Sequence, residues 1–140
     1  MILYCDTSAL VKIYVAEPGS DSVTRQFAQS QAVAVCRISW AEAHAALARR
    51  ARETPEDYEI IEGAKTALAN DWASFVVLEV TQDLVGRAGE YADIFALRGY
   101  DSVQLAAAHE TARITQSPVL FACFDIRLNK AAKALGMSCL

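Results

Sequence analysis

No stretch of this sequence approaches the roughly eighteen apolar residues needed to cross a bilayer. The amino terminus shows no basic segment followed by an apolar run and a small-residue cleavage site, so no secretory signal is read and a cytoplasmic protein with no membrane partner is expected. Cysteine has no pattern: Cys5, Cys36, Cys123 and Cys139 form no C-x-x-C, and neither His44 nor His109 stands at zinc-ligand spacing. Buried free thiols follow, in place of a zinc site or a disulfide framework. G-x-S-x-G and G-x-x-x-x-G-K are missing, which removes serine hydrolase and P-loop chemistry. Repeats, low-complexity tracts and linkers are missing too, so residues 1–140 read as one domain. A basic excess is also lacking. The net charge of -4 and pI near 5.1 argue against a general nucleic-acid binder, although Arg49, Arg50 and Arg52 form one basic cluster and Arg127, Lys130 and Lys133 another. Solvated helix faces explain such clusters equally well.

What the chain does have is apolar sequence in alternating segments. A hydrophobic share of 54% and a mean hydropathy of +0.18 exclude a disordered chain and call for heavily covered strands. Strand-like runs fall at residues 2–6, 32–37, 75–80 and 119–124, with 137–140 as a short edge strand. Between them lie helix-like segments: Ser8 to Ala16, a helix capped by Ser20 or Asp21, and a long alanine-rich helix capped by Ser39. A helix restarted by Thr54-Pro55 follows, then Gln82 to about Leu97 stopped by Gly99, Asp101 to Ile114, and Ile126 to Leu135 stopped by Gly136. Strand and helix in alternation predict an α/β fold, with a central, mostly parallel sheet of about four to five strands flanked by helices on both sides.

Four acids stand out at the edges of these segments: Asp6, Glu42, Asp101 and Asp125. Asp6 and Asp125 each follow a strand-like run, which in open parallel sheets is where ligands bind. Each has a local alternative. Asp6 before Thr7-Ser8 is placed to cap a helix, Asp101-x-x-Gln104 is a passable capping box, and Asp125 precedes the last helix. Glu42 is the one that capping does not explain; its helix face continues through Ala45, Ala46 and Arg49, small and then basic. Trp40 and Trp72 read as packing residues, and His44 and His109 as surface or satisfied-core histidines.

Brought together, carboxylates about 4 Å apart repel by roughly 4 kcal/mol per pair at an effective dielectric near 20, so a cluster takes up protons or recruits cations. Mg²⁺ or Mn²⁺ suits such hard oxygen donors, and phosphodiester hydrolysis is the chemistry a metal held this way supports. The hydroxyls of Thr7 and Ser8 would then orient water or phosphate from behind the metal ligands.

The run from Ile2 to Lys12 followed by Glu17-Pro18-Gly19-Ser20, Ser39-Trp40-Ala41-Glu42, Leu97 to Ala106 around Asp101, and Phe124-Asp125-Ile126-Arg127-Leu128 with Leu135-Gly136 together resemble the motifs of the PIN domain family. The similarity is greatest to the VapC-type toxin ribonucleases of bacterial toxin–antitoxin pairs. Phe124 departs from the family, replacing the small or hydroxyl residue often found before the fourth acid. The resemblance implies a Mg²⁺- or Mn²⁺-dependent endoribonuclease in which Asp6, Glu42, Asp101 and Asp125 bind metal, Arg127 and Arg49 are candidates for RNA phosphate, and the chain forms a homodimer inhibited by a cognate VapB-type antitoxin. Two other readings remain open at this point: a related nuclease acting on DNA or structured intermediates, and a regulatory module such as a receiver domain.

Overall fold

The computed structural model describes all 140 residues. Strands and helices alternate along them as β1 (Ile2–Cys5), α1 (Thr7–Tyr14), α2 (Ser20–Gln29), β2 (Ala32–Cys36) and α3 (Ser39–Glu53), then α4 (Tyr58–Trp72), β3 (Val76–Leu78), α5 (Gln82–Phe95), α6 (Gly99–Thr115), β4 (Val119–Ala122), α7 (Ile126–Ala134) and β5 (Ser138–Cys139). The strands pair in the order β3-β2-β1-β4-β5 and every pair is parallel. From β1 the chain works outward to β3, then returns to the other side of β1 for β4. The carboxyl ends of β1 and β4 therefore border the crevice at which the winding direction reverses.

Because successive strand residues point to opposite faces, β1 contributes to both layers. Ile2 and Tyr4 join Phe121, Leu105, Leu84 and Leu128 in a core under α5, α6 and α7, with the rings of Tyr4 and Phe121 stacked at 5.8 Å. Leu3 and Cys5 join Leu10, Val23, Val35, Ala43 and Leu68 under α1 to α4. A small satellite of Val15, Leu47, Ile61 and Ala64 ties α3 to α4. Along α6, Ala106, Ala107 and Ala108 are all fully buried, so this part of the helix has no wet face and its small side chains let it sit tightly on the sheet. No helix is long and apolar enough to cross a membrane.

Several local expectations are corrected. Ser39 does not cap α3: it is the first helical residue, follows Ile38 and is wholly buried, with its hydroxyl turned into the protein. Neither Ser20 nor Asp21 caps α2; Gly19 precedes the helix at φ +94°, and the Ser20 hydroxyl accepts from the Glu17 N–H instead. Thr54 makes no capping bond, and Pro55–Asp57 forms a separate 3₁₀ turn before α4. Gly99 does not stop α5. Ala96 takes the left-handed position that ends that helix, and Gly99 starts α6. Asp101 is consequently already inside the first turn of α6 and caps nothing. Asp6 and Asp125 do cap, their Oδ1 atoms accepting from Ala9 N at 2.9 Å and Leu128 N at 2.8 Å.

Candidate active site

Each of the four acids is delivered by a different connection in the sheet topology. Asp6 leaves the end of β1, where its N–H is fixed by the carbonyl of Ala122 at 3.1 Å. Its side chain is only 8% exposed, and Oδ1 accepts from Ser8 Oγ at 2.8 Å as well as from the α1 backbone. Glu42 lies one turn into α3, after β2. Thr7 Oγ1 donates to Glu42 Oε1 at 2.8 Å, and Gln104 Nε2 donates to the same oxygen at 3.2 Å. Asp101, in the first turn of α6, pairs through Oδ2 with Arg98 Nε at 3.1 Å. Asp125 stands after β4, exposed at the start of α7, with its N–H on Cys123 Sγ at 3.2 Å. All four acids, with Thr7 and Ser8, line a single cleft of about 380 Å³ at the carboxyl edge of β1 and β4.

Burial is the main influence on Asp6, raising its pKa because the charged form loses solvation. Hydrogen bonds from the Ala9 backbone and from the Ser8 and Cys123 side chains pull the other way, and the nearby charge of Asp101 pushes up again. Of these influences burial is the largest and the charge of Asp101 the smallest. Burial likewise lifts Tyr4 and Cys123 well above their ordinary values, which keeps the phenol and the thiol beneath the cleft neutral.

The donor set consists of carboxylate oxygens flanked by hydroxyls, and it matches a hard divalent cation better than a soft one. In the resting arrangement no three acids, thiols or imidazoles close on one point tightly enough to ligate an ion. Asp101 is drawn to Arg98, and Glu42 to Thr7 and Gln104. The cleft thus has the chemistry of a metal site in an open arrangement.

Two of the other candidates do not line the acidic cleft itself. Arg127 occupies the adjoining pocket with Asp101 and Asp125, where its guanidinium donates to the Ala96 carbonyl at 3.1 Å. Arg49 does not reach the cleft; it is ion-paired with Glu53 and lines a neighbouring groove that shares only Thr7 and Ser8 with it. Trp40 and Trp72 pack edge to face, His44 Nδ1 contacts the Trp40 carbonyl, and His109 meets the Tyr91 hydroxyl.

Sequence reasoning missed Gln104, Ser39, Arg98 and Cys123. Gln104 is 4% exposed; its Oε1 accepts from Tyr4 OH at 2.6 Å, while Nε2 reaches Ser39 Oγ at 3.1 Å as well as Glu42. The signal was available: an amide between Val103 and Leu105 on an alanine-rich helix has no wet face to occupy. Treating it as half of a capping box concealed that. Ser39 was hidden in the same way behind a cap, and nothing in the sequence marks Cys123 out from the other thiols.

The sequence pattern of the PIN domain matches residues 3–134. Ribonuclease VapC45 of Mycobacterium tuberculosis is 31% identical over 135 residues, covering 96% of this chain and 92% of that protein. Among solved structures, VapC20 of Mycobacterium tuberculosis, a sarcin-ricin loop cleaving toxin, superposes with a TM-score of 0.64 at 18% identity, over 92% of this chain and 94% of its own. VapBC2 of Rickettsia felis, solved bound to a DNA fragment from its promoter, gives 0.66 at 11% identity, over 100% and 98%.

Proposed function

This chain belongs to the PIN domain family, among the VapC ribonucleases, and from that premise we propose that it is a metal-dependent endoribonuclease, the toxin of a toxin–antitoxin pair. The observation that carries the reading is the convergence of Asp6, Glu42, Asp101 and Asp125, far apart in sequence, on one cleft at the reversal point of the sheet. Their oxygens would hold Mg²⁺ or Mn²⁺. Bound there, such a cation would supply Lewis-acid polarisation of a phosphodiester oxygen and would make a water more acidic.

The chain's own groups prepare that chemistry. Asp6 is placed by α1, because one of its oxygens is spent on the helix cap and the side chain cannot rotate without losing it. Glu42 is pinned by Thr7 and Gln104, whose amide is in turn fixed by the buried Tyr4 hydroxyl. The hydroxyls of Thr7 and Ser8 already donate to Glu42 and Asp6, which suits them to holding ligands still and not to attacking phosphorus. Arg98 balances Asp101 and, in this reading, would with Arg127 meet a phosphate at the rim.

Beside the cleft lies an apolar groove of about 650 Å³ lined by Ile38, Trp40, Trp72, Val80, Tyr100 and Val103, several of them exposed. A surface of this kind supports a protein partner, and an antitoxin of the VapB type seated there would pass next to the acids. Toxin–antitoxin structures among the similar folds support the same pairing. The reading carries with it a cytoplasmic location, an RNA substrate and a homodimer.

The test exploits the double role of Asp6. Asn caps helices about as well as Asp but carries no charge, so Asp6→Asn and Asp101→Asn should remain folded by circular dichroism and lose at least about a hundredfold of Mg²⁺- or Mn²⁺-dependent cleavage of labelled RNA. EDTA should abolish wild-type cleavage. Cleavage that survives either substitution would reject the assignment.

A further inference from the structure

Phe124 holds an aromatic ring where no core needs one. It lies two residues beyond β4, is 44% exposed, and borders both the acidic cleft and the adjoining pocket that contains Arg127. The ring is nevertheless fixed. Lys12 Nζ sits 4.8 Å from its centroid and is itself paired with Glu17 at 3.0 Å. Against its edge lies the backbone of Gly19, in the left-handed region at φ +94°, so close that a Cβ there would stand 2.7 Å from the ring. A lysine–glutamate pair and a glycine in the left-handed conformation therefore hold an exposed aromatic ring beside Asp125.

A second exposed ring, Tyr100, lines the same cleft and carries the Arg98 guanidinium 5.4 Å from its centroid. Tyr100 also faces the apolar groove, whereas Phe124 faces the Arg127 pocket, so the rings flank the acids on different sides.

We propose that Phe124 is a base-stacking residue: its open face receives an unpaired nucleobase next to the phosphate addressed by the acids, so that single-stranded RNA is favoured over duplex. The proposal rests on the ribonuclease reading of the cleft and adds a specificity element to it. Within a duplex each base face is covered by its neighbours and none is left for a protein ring; an unpaired base offers its face without that loss. Side chains stack on bases of any sequence, which suits a ring positioned by Lys12 and Gly19.

The experiment measures fluorescence anisotropy of a dye-labelled ten-nucleotide oligoadenylate, alone and annealed to oligouridylate, with Ca²⁺ and again with EDTA. The wild-type chain, Phe124→Leu and Phe124→Tyr are compared, each first shown to be folded. Wild type should prefer the single strand. Phe124→Leu should weaken that binding about tenfold, equivalent to about 1.4 kcal/mol, with the duplex unaffected, and Phe124→Tyr should restore it. A wild-type chain with no preference for the single strand, or a Leu variant that binds it as wild type does, overturns the proposal; the second outcome would leave Phe124 to a protein partner. Metal-dependent RNA cleavage, run alongside, should be present in wild type and lost in Asp101→Asn; cleavage absent from wild type, or surviving in Asp101→Asn, would overturn the ribonuclease reading and not the stacking one.

Discussion

Gln104 offers the sharpest test of how the interior supports the cleft. Replacing it with Leu keeps most of the volume and removes every polar contact. The Tyr4 hydroxyl, on a side chain with no exposure, then loses its 2.6 Å acceptor, and Glu42 and Ser39 lose an amide donor. A buried donor left without a partner costs about 1–3 kcal/mol. Tyr4 is the fully buried partner, so the expected loss is about 2 kcal/mol, or about 5–10 °C in Tm for a domain of this size. Tyr4→Phe alone should cost less, about 1 kcal/mol, because Gln104 keeps its other contacts. The double variant decides the matter: with both ends of the bond removed, its loss should fall short of the sum by about 1 kcal/mol. Urea denaturation followed by circular dichroism measures all three. Strict additivity, or a Gln104→Leu variant as stable as wild type, would refute the coupling. RNA cleavage should also fall in Gln104→Leu, since Glu42 retains only Thr7 as a donor.

The Arg113 guanidinium, with Arg87 beside it, holds the Glu110 carboxyl down from its ordinary 4.5 to about 2. A carboxyl depressed on folding stabilises the protein above the unfolded value and loses that contribution as pH falls through the folded one. Both arginines reach solvent, so the contribution is about 1 kcal/mol; the Tm gap between wild type and Glu110→Gln should be constant at pH 6–7 and close between pH 4.5 and 2. A gap unchanged at low pH would contradict it. Gly19→Ala should lose more than the about 1 kcal/mol that the left-handed backbone costs Gly136→Ala, because its Cβ would also stand 2.7 Å from the Phe124 ring. Only the former should also displace Phe124, because a Cβ at Gly136 meets nothing within 4 Å; equal stabilities and equal single-strand binding in the two variants would argue against that contact. Cys123→Ala removes the acceptor of the Asp125 N–H and a buried sulfur, and should cost about 1–2 kcal/mol by chemical denaturation.

Periodicity and composition disclosed the alternation of strands and helices, and the sheet came out fully parallel as such alternation requires. The boundaries were harder, because the residues expected to stop or start helices were engaged elsewhere. Ala96 could take the left-handed position because the chain turns straight into α6, which freed Gly99 to begin a helix. Ser39 looked like a cap because caps and buried hydroxyls use the same residue types; only the approach of Gln104 from a helix sixty-five residues later distinguishes them. Cys123 and Arg98 act through contacts made by folding, and a single sequence carries no local mark of those contacts.

The acids show why capping and a role in the cleft are not rivals. At Asp6 and Asp125 it is Oδ1 that receives the helix N–H, so the second oxygen of each carboxylate is not spent on the helix. The cap fixes the direction in which that second oxygen points, and it does so through backbone that is itself anchored in the central strand, as the Asp6 N–H on Ala122 shows. A strand-end Asp that caps the next helix is therefore a rigid mount for one free anionic oxygen at the carboxyl edge of the sheet. Asp101 and Glu42, which cap nothing, are restrained by side chains, Arg98 for one and Thr7 with Gln104 for the other. The cleft therefore combines two carboxylates mounted on helix backbone with two held by side chains. Asn at the mounted positions should preserve stability while removing charge, whereas Ala should lose about 1 kcal/mol more through the cap. If Asp6→Ala and Asp6→Asn unfold at the same denaturant concentration, Oδ1 is not the mount and this division of labour is wrong.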